Sequence, residues 1–417
     1  MGMNPTPVSA IELGTTRAVG VLGMPSAASP CGVSLLRAVS IKSSGVRKGE
    51  IVNVDNATAT AKTVFDAIAK CHDVRFYNAA CAVYSGGGLE SAEISGSVPI
   101  GKDSKVVLDS DIAHATRLMG DAPCADATRR ILEQIRTSYL LDGVRLVDNP
   151  IDMPASELAV FGLRTLADAK GAQAFKDALE YVGCGVPNIF SAAYCSHLGC
   201  ASPEQRRLGA LVINLGGGTT SWSVVKDGRV VAAASMPLGG DHVTMDLLRA
   251  FRTGSEETAT ILKHSHSSAI LDGVPSSERI PLPTAFDRRT ISLKAVSEVV
   301  NARMDEIFQL IRARLEDADL LHGLGCGVIL CGGGASLKSV DLLAARVFGM
   351  TCRIGSPADA GFPNIPPSPT GAPAFDFTHE HCAALGALAL AAKMQFEETR
   401  ADDGSFSGKL RNIFRKK

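Results

Sequence analysis

The sequence predicts a duplicated α/β fold in which two similar lobes close around one anion-binding cleft. Three observations predict it: a glycine-tipped hairpin at mid-chain, a second copy of its plan near the N-terminus, and a third glycine cluster ending a buried strand. The central hairpin spans 211–231. An apolar run of strand length, 211–215, meets Gly216, Gly217 and Gly218, then Thr219 and Thr220, and then a β-rich run that ends at the Asp227-Gly228 turn. Glycine reaches positive φ and has no Cβ, so amide N–H groups at such a tip converge closely on an anion, with threonine hydroxyls as further donors. Phosphate is the expected ligand. For this stretch alone, an ordinary tight hairpin is an equally good reading.

A second copy of the plan shifts that balance. Ile11-Glu12-Leu13-Gly14-Thr15-Thr16-Arg17 repeats the order apolar, polar, Leu, Gly and Thr pair of Ile213-Asn214-Leu215-Gly216 with Thr219-Thr220, and again a β-rich strand returns. Two such hairpins half a chain apart point to a duplicated fold with a phosphate clamped between its halves. The third cluster, Cys331-Gly332-Gly333-Gly334-Ala335-Ser336, ends a buried strand and precedes a helical pattern; so bare a backbone lets a flat ring or a ribose approach closely. In this order the three resemble the phosphate-1, phosphate-2 and adenosine motifs of the actin-like ATPase superfamily.

Composition bounds the rest. The chain has 417 residues, 46% of them hydrophobic, which is enough for more than one core. Its 42 basic and 43 acidic side chains nearly cancel, which argues against a general nucleic-acid binder. Eleven cysteines, with no Cys-x-x-Cys pair, and a start lacking the charged-then-apolar pattern of a signal peptide fit a reducing cytoplasm. Cys195 with Cys200, or Cys326 with Cys331, has the look of a metal pair; small buried thiols are the commoner explanation, and His379, His381 and Cys382 are read the same way. No apolar run reaches the roughly 20 residues of a membrane span.

Taken in order, 32–41 reads as a strand, 45–50 as a turn-rich loop, and Asn56 as the cap of a helix whose apolar face is Ala61, Val64, Phe65 and Ile68. A strand over 76–84 follows. From Ser85-Gly86-Gly87-Gly88 the rhythm changes to a small α+β insertion. It holds a strand over 91–100, a short helix over 109–119, a helix over 129–136 and a strand over 156–163. A helix over 173–182, a strand over 186–190 and a helix over 191–198 return to the main layer, and Ser202-Pro203-Glu204-Gln205 opens a short connection into the central hairpin. The stretch 236–246 then leads into a helix whose apolar side is Val243, Leu247, Leu248 and Phe251, and helices follow over 255–264 and 293–315, the last carrying alternating charge on a solvated face. Arg288, Arg289 and Arg303 are read as part of such a face rather than a partner site. A helix over 339–348, a strand over 351–354, a proline-rich loop over 357–373 and an alanine-rich helix over 381–393 complete the body. The expected division is lobe I over 1–84, completed by 164–200 and 357–395; the insertion over 85–163; lobe II over 201–356, with a smaller subdomain over 236–292; and 396–417 as acidic linker and terminal helix.

That terminal helix is distinct. Phe406, Leu410, Ile413 and Phe414 fall on one helical face, while Lys409, Arg411, Arg415, Lys416 and Lys417 crowd the rest. A helix docking on its own domain gains nothing from five cations, so an anionic lipid surface is the expected partner.

The order of features resembles the FtsA family of bacterial actin-like division proteins over nearly the whole length. The residues that carry it are IELGTT, GVRKGEIVNVD, the insertion from YSGGG to the NPIDMPASELAV stretch, the GGG hairpin, PLGGDHVTMDLLRAF, CGGGASLKSVDLLAARVFG, CRIGSP and the amphipathic tail. The resemblance implies binding of ATP with magnesium, assembly into actin-like filaments, and tethering of the FtsZ ring to the cytoplasmic side of the inner membrane at the septum. It also implies recruitment of later division proteins, the insertion contacting a neighbouring protomer and those proteins. Carried over by position, Gly14, Thr15, Thr16 and Arg17 meet the terminal phosphates, Arg17 standing where a lysine is usual. Gly216, Gly217, Gly218 and Thr219 form the second phosphate hairpin, Gly240 flanks the nucleotide, Lys263 reaches the adenosine, and Gly332, Gly333, Gly334 and Ala335 line its ring and ribose. Magnesium falls to Glu12 and, through water, to Asn214.

Two departures bear on chemistry. Asn214 replaces the family's usual aspartate, and an amide supplies no negative charge to a metal. Thr260 stands where a glutamate is common, which removes an acceptor for a ribose hydroxyl. The expectation is ATP binding with slow or absent hydrolysis and no catalytic residue assigned. Two alternatives stand beside it: the actin-like pilus adaptor PilM, which lacks the lipid helix, and a small-molecule kinase, for which Glu12 and Asp241 are the nearby candidate bases.

Overall fold

The structure, a computed structural model, describes residues 6–69, 80–101, 105–121, 126–147, 149–183, 188–282, 289–367 and 374–404. The amphipathic stretch 406–417 and the first part of the strand expected over 76–84 lie outside the described residues.

Two sheets repeat one plan. In the first, β1 (Val8–Leu13), β2 (Arg17–Pro25) and β3 (Val33–Lys42) form an antiparallel meander. A two-strand ribbon, β4 (Val46–Arg47) with β5 (Glu50–Ile51), and the helix α1 (Val54–Ala69) follow. Next β6 (Ala80–Tyr84) pairs parallel to β1. The chain then leaves the lobe through β7 (Glu90–Pro99), α2 (Asp109–Gly120), β8 (Arg129–Leu141), β9 (Arg145–Val147) and β10 (Glu157–Asp168). It returns as α3 (Ala169–Glu180), β11 (Asn188–Ser191), parallel to β6, and α4 (Ala192–Cys200).

The short helix α5 (Pro203–Leu208) leads into the second sheet, where β12 (Ala210–Leu215), β13 (Thr220–Lys226) and β14 (Arg229–Met236) repeat the meander. Beyond it lie α6 (Gly240–Phe251), α7 (Glu256–Ser265), the ribbon β15 (Arg279–Pro281) with β16 (Thr290–Ser292), and α8 (Leu293–Asp317). Then β17 (Val328–Cys331) pairs parallel to β12, α9 (Val340–Phe348) follows, and β18 (Cys352–Ile354) pairs parallel to β17. The final helix, α10 (Cys382–Gly404), packs on β1, β2, β6 and α4.

The strand orders make the duplication exact in plan: β11-β6-β1-β2-β3 in one sheet and β18-β17-β12-β13-β14 in the other. The second sheet continues past β14 into β7-β10-β8-β9, through the pairing of Ala234 with Glu90. The insertion's strands therefore extend the sheet of the second half of the chain, although they leave from the first. One core lies between the second sheet and α6–α9; two flank the first sheet, against α10 and α4 on one face and α1 and α3 on the other. The insertion has its own, around Val107, Met119, Leu141 and Leu158. Where α4 and α10 cross, the backbones nearly touch: a Cβ on Gly199 would lie 1.9 Å from the Cys382 carbonyl oxygen, and one on Gly386 would lie 1.9 Å from that of Cys195.

Four expectations need correction. Asn56 does not cap the first helix: α1 begins at Val54, and Asn53 Oδ1 accepts the Asn56 N–H at 2.9 Å. The helix expected over 129–136 is the strand β8, paired along its length with β10. Ile131 and Ile135 stand four apart as on a helix, while two register shifts against β10 interrupt the alternation that would have marked a strand. Residues 202–205 do more than connect: Ser202 and Gln205 form a capping box, with Pro203 in the first turn of α5. The acidic 397–404 stretch continues α10 to Gly404, because no proline or glycine interrupts it before that residue.

Glu133 of β8 fastens the insertion to the first lobe. It is buried, and its carboxylate accepts the Ser191 backbone N–H at 2.9 Å and the Ser191 hydroxyl at 2.5 Å, at the start of α4. Desolvation pushes its carboxyl up to about 7, against the opposing pull of the Ser191 bonds. The folded state thus binds a proton that the unfolded chain, with its value near 4.5, has released. Stability is then highest below about pH 4.5, falls as pH rises toward 7, and is level above. Denaturant melts at pH 5 and pH 8 are expected to lose part of that slope, on the order of 3 kcal/mol, in Glu133→Gln.

Candidate functional site

Both predicted hairpin tips close in the same way. The Gly14 N–H donates to the Arg17 carbonyl at 2.9 Å, and the Gly216 N–H donates to the Thr219 carbonyl at 2.9 Å. Each tip is four residues long, bounded by the pairs Leu13 with Ala18 and Leu215 with Thr220. A Cβ on Gly14 or on Gly216 would meet the carbonyl oxygen that closes the turn, at 2.9 and 2.8 Å, so bare backbone is needed at both.

The tips face one another. A Cβ on Gly217 would come within 2.6 Å of Thr16 Cγ2, and one on Gly218 within 2.5 Å of Thr15 Oγ1 and 2.6 Å of Lys48 Cα. Thr15 Oγ1 accepts the Gly49 N–H at 3.0 Å, so the 45–49 loop closes over the first tip. The Thr219 hydroxyl donates to the Ser85 carbonyl at 3.0 Å, which ties the second tip to the end of β6. α6 braces it from behind: the Gly240 and Asp241 N–H groups donate to the Gly216 and Gly217 carbonyls at 2.9 and 2.8 Å. These two helix N–H groups are spent on the hairpin rather than aimed into the cleft.

Gly14, Thr15, Thr16, Arg17, Gly216, Gly217, Gly218, Thr219, Gly332 and Gly333 line one cavity together with Glu12, Asn214, Ser85 and Glu380. It opens into a larger cleft of about 1040 Å³ that reaches Gly240, Lys263 and Gly334. Ala335 turns away into the core of the second half. Gly332, at φ 80°, leaves no room for a side chain: a Cβ there would meet Asn214 Oδ1 at 2.2 Å and the Leu215 carbonyl oxygen at 2.7 Å. Beyond it, Gly333, Gly334 and Leu337 face the α7 residues Thr260, Ile261 and His264 across the larger cleft. That gap has one bare wall and one mixed polar and apolar wall, as a planar heterocycle requires.

The charges are arranged unevenly. Glu12 is partly buried; desolvation pushes its carboxyl up to about 7, and its enclosed Oε2, like the Ser85 hydroxyl, has no hydrogen-bond partner. An enclosed carboxylate oxygen without a donor, at the floor of a cavity, suits a hard cation. Asn214 occupies the matching place one residue before the second tip, but its Nδ2 donates to Ser196 Oγ at 2.9 Å. Ser196 Oγ in turn donates to the Ala192 carbonyl at 2.6 Å. An aspartate would set its oxygen against a hydroxyl whose proton is already engaged, so the amide fits this α4 contact. Lys263, buried, donates to Thr244 Oγ1 at 2.9 Å and the Gly240 carbonyl at 3.2 Å; burial pulls its pKa down and Asp241 partly restores it.

Several residues of the site carried no local signal. Glu380 pairs with Arg17 at 2.5 Å and stands over Gly333, brought there by the turn before α10; His379 fixes that turn by exchanging bonds with Gly332. Ser85, Ser196 and Lys48 were equally silent, being ordinary residues that only the closed fold brings to the hairpins. Arg303, read as solvated, pairs with Asp246 at 2.7 Å. Gly218→Ala is expected to cost about 1–3 kcal/mol, because its methyl would meet Lys48 backbone that cannot yield without parting the tips. Urea unfolding measures this, and the exposed Gly254→Ala, at φ 76° with open space where its Cβ would lie, serves as a comparison that carries backbone strain without a clash.

A family model described as "Cell division protein FtsA" matches residues 211–375, and one described as "SHS2 domain inserted in FTSA" matches 86–163. The chain is 28% identical to the cell division protein FtsA of Rhizobium meliloti over 413 residues, 96% of this chain and 90% of that protein. Against FtsA of Pseudomonas aeruginosa it is 26% identical over 352 residues, 83% of this chain and 82% of that one. Among solved structures it resembles a PilM-PilN type IV pilus biogenesis complex (TM-score 0.59, 15% identity, 92% of this chain and 98% of that one). It also resembles MreB5 of Spiroplasma citri bound to AMPPNP (TM-score 0.53, 14% identity, 94% and 98%). At those identities the structural likeness speaks for the actin-like fold alone. With two facing phosphate-type tips, the matching sheets, the inserted domain and the full-length relatives together, the chain belongs to the FtsA family of cell-division proteins.

Proposed function

We propose that this division protein is an ATP-binding, actin-like scaffold that polymerises and tethers FtsZ filaments to the cytoplasmic face of the inner membrane, where it helps recruit later division proteins at the septum. The observation that carries the proposal is the pair of equivalent tips, one from each half of the chain, facing across a single cavity. The tips Gly14–Arg17 and Gly216–Thr219 hold the phosphates through N–H groups other than those of Gly14 and Gly216, which close the turns, and Arg17 leaves Glu380 to meet their charge. Gly332, Gly333 and Gly334 border the adenosine, with Gly240 and Lys263 beside it. Magnesium, when bound, neutralises phosphate charge; Glu12 is its carboxylate ligand, and Asn214 offers only an amide. Because residues of both halves hold one ligand, binding favours one angle between them and so favours the polymer.

Hydrolysis is slow in this reading. The amide at 214 adds no charge beside a metal, and its N–H₂ is fixed to Ser196. Asn214→Asp is expected to raise ATP turnover at least severalfold once Ser196 redirects its hydroxyl; a brisk wild-type rate, or no gain in the variant, refutes this. Binding itself is read by calorimetry with a non-hydrolysable ATP analogue.

Among the described residues no helix is long and apolar enough to cross a membrane. Attachment falls to the terminal segment. Phe406, Leu410, Ile413 and Phe414 offer roughly 1.5–3 kcal/mol each in a lipid interface, before the cost of ordering the helix. The five cations Lys409, Arg411, Arg415, Lys416 and Lys417 add about 1 kcal/mol apiece near anionic lipid. One tail then binds reversibly, and a filament that aligns many tails binds with avidity. Deleting 406–417 is expected to abolish co-sedimentation with anionic vesicles while leaving FtsZ pull-down intact. Unchanged vesicle binding would defeat the tether, and failure of the full chain to retain FtsZ would defeat the adaptor role.

A further inference from the structure

The two cysteine pairs noted in the sequence do not close on themselves. One member of each, Cys200 and Cys331, meets Cys382, and the three Sγ atoms lie within 4.8 Å of one another. They come from three elements: the last residue of α4, the last of β17 and the first of α10. All three are buried, inside a small apolar core completed by Ala201, Ala210, Val212 and Ile329. This core lies where α4 and α10 of the first lobe press on β12 and β17 of the second, one residue before Gly332 of the cleft. The packing is close, since a Cβ on Gly355 would lie 2.8 Å from Cys200 Cβ.

We propose that Cys200, Cys331 and Cys382 form a closed three-thiolate site for a soft monovalent d¹⁰ cation of the Cu(I) type. Ligand softness selects this class: thiolates prefer Cu(I) to hard cations, and the described residues add no histidine or carboxylate to the group to make the four-coordinate set that structural zinc takes. The size fits. Metal–sulfur bonds of about 2.3 Å set the sulfurs of a planar trigonal site about 4 Å apart, a spacing within the 4.8 Å bound on the three Sγ atoms. Loading exchanges S–H bonds for S–metal bonds, and the displaced protons pass to solvent.

The negative charge this leaves has partial offsets nearby. Cys382 opens α10, whose N-terminal end favours an anion. The Arg353 guanidinium donates to the Cys200 carbonyl at 3.2 Å, although it also serves Asp359 at 2.7 Å. The Cys200 thiol is oriented by its bond to the Ser196 carbonyl at 3.1 Å, and Ser196 is the residue that receives Asn214. A cation here would tie α4 and α10 to the strand that carries the third glycine tip.

The test titrates the full-length, fully reduced chain with Cu(I), anaerobically, against a chromophoric Cu(I) chelator. One ion per chain is expected to be retained, with X-ray absorption showing three sulfur neighbours and no nitrogen or oxygen. Cys331→Ser and Cys382→Ala are expected to lower retention at least tenfold, and Cys31→Ser and Cys352→Ser to leave it unchanged. Absence of retention by the wild type, equal retention in the Cys331 and Cys382 variants, or a two-sulfur environment would each overturn the site. Should the variants not fold, the X-ray absorption of the wild type decides alone.

Discussion

The contact between the two hairpin tips sets the geometry of everything around it. Gly217 and Gly218 rest on the Thr16 and Thr15 side chains and on the Lys48 backbone at distances that admit no side chain of their own, so the second half meets the first through bare glycine backbone. Such a contact is stiff and specific. It is reinforced on both sides, by the 45–49 loop through Thr15 and Gly49 and by α6 through the Gly216 and Gly217 carbonyls. Recognition of an anion between two lobes needs a closure defined this tightly, because loosely packed lobes would give the anion no fixed separation.

Duplication made the two tips alike; the functional asymmetry lies one residue before each. Glu12 and Asn214 occupy equivalent places, yet one is an enclosed carboxylate with a free oxygen and the other an amide committed to α4. The first half therefore supplies the charge and the second half the anchorage. Arg17 adds a cation that is already paired with Glu380, at 2.5 Å. Its half-exposed position makes the pair itself a weak contributor to stability.

The joints between parts are chemically distinct. The insertion is held to the second sheet by strand pairing and to the first lobe by the buried Glu133–Ser191 bonds, whose strength depends on what protonation state burial imposes. Behind the cleft the lobes share an apolar core that contains three thiols. Polar joints of the first kind fix direction; apolar ones of the second kind tolerate small slips.

The three glycine clusters were legible because bare backbone has no substitute: only glycine fits where carbonyls and tips approach this closely, so the chemistry is written in residue type. The helices α1 and α6 were legible through clean apolar faces. β8 was not, because its bulges break the alternation and its isoleucines mimic a helix. Glu380, Ser196 and the Cys200–Cys331–Cys382 cluster escaped for a different reason. Each owes its role to neighbours far away in sequence, and no local pattern records that. By itself, then, the sequence determined the repeated hairpins, the lobed α/β plan and the ligand class those hairpins suit. Which carboxylate stays unpaired, which amide is occupied and which thiols meet were decided by tertiary structure, since burial and hydrogen-bond partnership are properties of the packed chain alone.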